Sequence, residues 1–126
     1  MKRLVAAIIL FAVIIALSIT ANILVTKSVT NFDQRLEKCE NACFEEDWHV
    51  ASAQAKGLLI DWQKERKWLS IFVNRQLLDD ITTSAARLLP YATAESTDVY
   101  LGECAAFSKL LDSVRHEQTL SFESFF

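Results

Sequence analysis

The 126-residue chain has two glycines and one proline. So few breakers exclude a fold of short strands joined by tight turns and leave long, uninterrupted helices. Gly57 and Gly102 stand alone, so there is no glycine-rich phosphate loop. Repeats, low-complexity tracts and linker-like runs are missing too, which leaves one small domain with one modest core. Acidic residues are absent before Asp33. Lys2, Arg3 and Lys27 are the only charges in the first thirty positions, and the remainder carries ten basic against sixteen acidic side chains, a net of −6. Such a domain lacks the basic face that phosphate contacts require, which excludes nucleic acid as a partner.

What is present is an apolar run. Leu4 to Leu17 contains no polar side chain, and Ser18, Thr20 and Asn22 dilute the continuation to Val25 without adding charge. As a helix, residues 4–25 measure about 33 Å, against a hydrocarbon core of about 30 Å. A soluble core helix would need a polar face, so this stretch reads as a single membrane span (residues 1–25 as anchor). Met-Lys-Arg with Ala16-Leu17-Ser18 also fits a secretory signal, but the run continues through Ile19, Ala21, Ile23, Leu24 and Val25. That length favours an uncleaved anchor. Lys27, Arg35 and Lys38 follow the span, but Lys2 and Arg3 abut the run directly. The positive-inside rule then expects a single-pass protein of the cell membrane, with residues 1–3 cytoplasmic and residues 26–126 extracytoplasmic.

Beyond the span the period is helical. Val25, Val29, Phe32, Leu36, Cys39 and Cys43 form an apolar seam that runs out of the bilayer without a stop signal. The β-branched Val25, Thr26, Val29 and Thr30 lower helix propensity there and allow a kink. Glu45-Glu46-Asp47 reads as a turn with Asp47 as N-cap. Trp48, Ala51, Ala55, Leu58, Trp62, Glu65, Leu69 and Phe72 continue as a second helix to Val73, with Glu65 the polar misfit. Asn74 breaks or caps. Leu78, Ile81, Ala85, Leu88 and Ala92 mark a third helix, which Pro90 should bend or end near Leu89. Tyr100, Cys104, Phe107, Leu111 and Val114 mark a fourth. Leu120 to Phe126 is an aromatic tail too short for another buried helix. The fold class expected is therefore all-α: a transmembrane helix continuing into an antiparallel up-down-up-down bundle.

Glu46-Asp47-Trp48, Trp62, Trp68-Leu69-Ser70-Ile71-Phe72, Leu78-Asp79-Asp80-Ile81, Arg87-Leu88-x-x-Tyr91 and Leu120-Ser121-Phe122-Glu123-Ser124, set behind one basic-flanked span, resemble a bacterial family found mostly in Firmicutes, Domain of Unknown Function 4363. The resemblance covers nearly the whole chain. It departs where the family pattern has His-x-Glu after the second helix; Arg75 and Leu77 stand there, so no role of that His carries over. The resemblance implies an anchored extracytoplasmic helical domain of unassigned activity, with a partner among small membrane proteins.

The residues offer little chemistry. Glu45 with His49, and Asp112 with His116, share helical faces four apart, but the bundle puts the pairs at opposite ends. They read as solvated pairs rather than halves of a metal site. No base accompanies a serine nucleophile, and nothing calls for a cofactor. The tryptophans sit at core spacing. Cys39, Cys43 and Cys104 all fall on seams. A bridge from Cys104 to Cys39 or Cys43 is reachable between antiparallel neighbours in an exported domain, and three buried thiols are the alternative.

Helix lengths add a surface. The first helix outside the bilayer, residues 26–44, spans about 28 Å and the second, residues 48–73, about 39 Å. The longer return brings Trp68, Leu69, Ile71, Phe72 and Val73 to the bilayer, flanked by Arg66, Lys67 and Arg75. The fourth helix delivers Leu120, Phe122, Phe125 and Phe126 to the same end. These nine residues are expected to form a membrane-proximal or partner surface, the alternative being that both elements fold back onto the bundle's own base. The function expected is a non-enzymatic interaction or accessory subunit of another membrane protein, or a self-associating one. The alternative is an extracytoplasmic sensor holding a small ligand. Only Met1 to Arg3 precede the span, too little for a cytoplasmic output domain, which favours the first.

Overall fold

The computed structural model describes residues 1–125, with side chains described through Leu120. Four helices account for nearly all of them: α1 (Lys2–Phe44), α2 (Trp48–Leu69), α3 (Arg75–Thr93) and α4 (Thr97–Phe125). α1 packs on α2 and α4, and α3 packs on the same two, so the helices stand in a square in up-down-up-down order. The short turns permit nothing else, because each forces the next helix to run antiparallel beside the last.

α1 is one continuous helix of 43 residues, about 64 Å long at 1.5 Å per residue. No break occurs at Val25 to Thr30, because packing of Val25 and Val29 against the bundle, at 0% and 2% exposure, overrides their weak propensity. On α1, α3 and α4 every apolar seam position beyond the span is buried, Val25 to Cys43, Leu78 to Ala92 and Tyr100 to Val114, whereas on the expected α2 seam Trp48 is partly buried and Phe72 exposed. At the centre, Trp62 meets Phe32 edge-on at 5.4 Å and Phe107 at 6.3 Å between ring centroids. Each such pair contributes about 1 kcal/mol beyond the area it buries. Trp62 Nε1 donates to Thr82 Oγ1 at 2.8 Å, which satisfies the one polar atom of the buried indole.

Three boundaries differ from the sequence expectation. α2 stops at Leu69, not Val73. Ile71 and Phe72 tighten into three-residue turns on Trp68 and Leu69, and Asn74 turns extended and caps α3 by accepting from Gln76 N at 2.8 Å. α3 passes Pro90 and ends at Thr93. The proline deprives only the Ala86 carbonyl of its donor; both residues lie on the exposed face, where water can take that place. The tail is not separate: α4 continues through it to Phe125.

The two turns far from the span share one design. Asp47 N bonds Ala42 O at 3.0 Å, Ser96 N bonds Tyr91 O at 3.1 Å, and the residues before them, Glu46 and Glu95, have φ of 57° and 53°. Both are Schellman endings with glutamate at the left-handed position where glycine is usual. Gly57 has a steric reason: a Cβ there would stand 3.1 Å from Arg35 Nη2, which passes over it to pair with Asp61.

Candidate functional site

The residues that could carry function gather at the end of the bundle nearest the span. α1 and α2 border a surface groove of about 810 Å³, lined by Leu24, Lys27, Ser28, Thr30, Asn31, Gln34, Glu65 and Trp68. Glu65, out of character on the α2 seam, belongs to this groove. It accepts from Ser28 Oγ at 3.3 Å and from Trp68 Nε1, so its carboxylate stays at the solvent edge of the core. Trp68 also meets Phe72 edge-on at 6.3 Å.

The structure divides the nine residues expected at this surface. Trp68 is partly buried, and Phe72 and Leu120 are exposed at 42% and 51%. Leu69 and Val73 are core residues, 1% and 5% exposed; ending α2 at Leu69 turns both inward. The side chains of Phe122 and Phe125, and all of Phe126, lie outside the described residues. Ile71 is exposed at 75%. Arg66, expected as a cation for headgroups, instead pairs with Asp79 and donates to Thr82 Oγ1 at 3.3 Å, clasping α2 to α3. Lys27, Lys67 and Arg75 remain exposed.

Gln118 closes the base of the core. It is 8% exposed and donates from Nε2 to Phe72 O at 3.2 Å, while Asn74 N donates to Glu117 Oε1 at 3.3 Å. The α2–α3 turn is thereby fixed to α4 at residues 117 and 118. The length argument shifts accordingly. α2, at 22 residues, exceeds the outer part of α1 by less than one turn, and α4, at 29 residues, is the element that reaches furthest toward the span.

Cys39, Cys43 and Cys104 are free and buried at the opposite end. Burial pushes all three thiols above their ordinary value of 9.0. Burial also raises Tyr100, whose hydroxyl donates to Ala51 O at 3.3 Å. Such thiols are poor nucleophiles and poor ligands. His49 and His116 are exposed on α2 and α4 near opposite ends of the bundle. Among the described residues no group of three or more His, Cys, Asp or Glu is arranged to hold a metal. Ser84 Oγ, buried on α3, lacks a hydrogen-bond partner among the described residues.

In α1 the window apolar enough to cross a membrane contains no buried residue. A family model described as a domain of unknown function, DUF4363, matches residues 19–124, from within this span to the end of α4. No curated protein and no solved structure matches the chain.

Proposed function

Since the chain belongs to the DUF4363 family, and since its span and bundle share one helix, we propose that it is a single-pass protein of the cell membrane with residues 1–3 cytoplasmic and the bundle outside, acting as a non-catalytic accessory subunit of another membrane protein. One observation carries this reading. α1 is unbroken from an apolar stretch with no fully buried residue to a stretch whose seam is fully buried. The bundle completes its core above that stretch, so most of the span's surface stays available to lipid or to helices of a partner. Any movement of such a partner within the bilayer is transmitted rigidly to the bundle.

The alternative, a ligand-holding sensor, rests on the groove at Glu65 and Trp68. The centre of the bundle is occupied by Phe32, Trp62 and Phe107, so an apolar ligand has the groove rather than the core to enter. Copurification from mild detergent separates the two. A stoichiometric membrane protein that is lost when Ile71→Ser and Phe72→Ser are combined supports the accessory subunit. A small molecule retained through purification and lost on Trp68→Ala supports the sensor. A bare monomer carrying neither overturns the accessory reading.

A further inference from the structure

How deep α4 descends beside the span follows from side chains well above it. Asp33 on α1 accepts from Ser108 Oγ at 3.4 Å and from Arg115 on α4. Asp33 therefore stands beside the middle of that stretch, at about residue 111, and the helices run antiparallel with equal rise. Following both downward, Phe125 arrives beside α1 at about Ile19 or lower. Burial along α1 agrees. In residues 1–24 only Ile15, Ser18, Ala21 and Asn22 are partly buried, and all others are exposed. Ile15, Ser18 and Asn22 continue the seam of Val25, Val29 and Phe32 into the span, on the face that α4 covers higher up.

The end of α4 therefore lies about 9 Å or more below Val25, the first fully buried residue of the bundle. The α2–α3 turn sits higher, held at Gln118, and carries the exposed Ile71 and Phe72. We propose that the end of α4 inserts into the bilayer leaflet on the bundle side, next to the span, while Ile71 and Phe72 rest at the headgroup level. The occupant of this surface is lipid. The helix end runs parallel to a span that lipid must surround, at a depth of the order that interfacial helices reach. Exposed Lys27 and Lys67 on the neighbouring helices suit anionic headgroups. Ser18, Thr20 and Asn22 mark the layer in which α1 itself turns polar, and by the same register the backbone of residues 121–124 runs beside that layer.

The inference rests on the span proposed above, and one experiment tests the two apart. The full chain is reconstituted at high dilution in vesicles of phosphatidylcholine and phosphatidylglycerol, with no other protein present. A nitroxide is attached in turn through Val13→Cys, Ile71→Cys, Ser113→Cys and Ser124→Cys; the buried native thiols stay unlabelled, as the unsubstituted protein checks. Collision with oxygen reports lipid, and collision with a soluble nickel chelate reports water. Positions 13 and 124 should show high oxygen and lost nickel accessibility, position 113 the reverse, and position 71 values between. Nickel accessibility at 124 equal to that at 113, with 13 still in lipid, overturns the inserted helix end and leaves the span intact. Shielding of 124 from both probes also overturns it, since protein then covers the site. Nickel accessibility at 13 overturns the span itself.

Discussion

Arg115 on α4 joins Asp33 on α1 and, through Nη1 at 2.6 Å, Asp112 on its own helix. One guanidinium thus sets the register between the helix that carries the apolar run and the helix that returns toward it. Both partners are about one-third exposed, so the contact contributes no more than about 1 kcal/mol. Its consequence is positional. Asp33→Ala or Arg115→Ala should each lower the melting temperature in detergent by at most about 4 °C. The exchange Asp33→Arg with Arg115→Asp should recover most of the loss. Equal losses in the exchange and in the double alanine variant would remove the pair's role in register.

Glu46 and Glu95 hold left-handed conformations at the two far turns, where a side chain costs about 1 kcal/mol relative to glycine. Glu46→Gly and Glu95→Gly should each raise the melting temperature, by about 4 °C per substitution. Circular dichroism of the full chain in micelles reads this directly. A fall at either site would mean that the glutamate side chain has a partner worth more than the strain.

Trp62 is fixed by two rings and by Thr82. Trp62→Phe keeps most of the ring contact and gives up the indole hydrogen bond. It should cost about 1–2 kcal/mol, and Trp62→Ala about 3–5 kcal/mol, enough to unfold a domain of this size. Denaturant titration of tertiary structure distinguishes them. A loss under about 1 kcal/mol for the alanine variant would contradict the central position of the ring.

Burial raises Cys39, Cys43 and Cys104 above 9.0 and Tyr100 above its ordinary 10.0. In the unfolded chain these groups ionise from about pH 9 upward; in the folded chain they keep their protons. The folded state therefore holds more protons there, and stability, complete below pH 9, falls as pH rises above it. Melting temperature should drop between pH 9 and pH 11, and drop less in Cys104→Ala. The same burial predicts no alkylation before unfolding. Intact mass without reductant should give three free thiols; loss of two hydrogens would instead report a bridge of Cys104 with Cys39 or Cys43.

Topology has its own check. A reporter active only outside the cytoplasm, fused after Phe126, should be active, and the mature chain should retain Met1 to Ser18. An N-terminus at Ile19 or beyond would show that the apolar run is a removed signal.

Most of the fold was legible because helical periodicity is local. The seam from Val25 to Cys43 and its counterparts on α3 and α4 were spaced for one face and became that face in the structure. Asp47 and Asn74 announced helix starts, and both side chains cap, Asp47 accepting from Val50 N at 3.2 Å. The expected surface was legible only in part. Phe72 and Leu120 are exposed and Trp68 partly buried, but nothing local distinguishes Leu69 and Val73 from them. Inward or outward facing there depends on where α2 stops, and the packing of the turn on Gln118 decides that.

By itself, then, the sequence determined one uncharged apolar run long enough to cross a membrane, four helical seams and turns too short for any but antiparallel neighbours, because these follow from side-chain periodicity and chain reach. Tertiary structure decided that α3 passes Pro90, that α4 absorbs the aromatic tail, and how far α4 descends beside the span. Those outcomes turn on contacts between residues far apart in the chain, such as Asp33 with Arg115 and Phe72 with Gln118, whose energies enter only when helices meet.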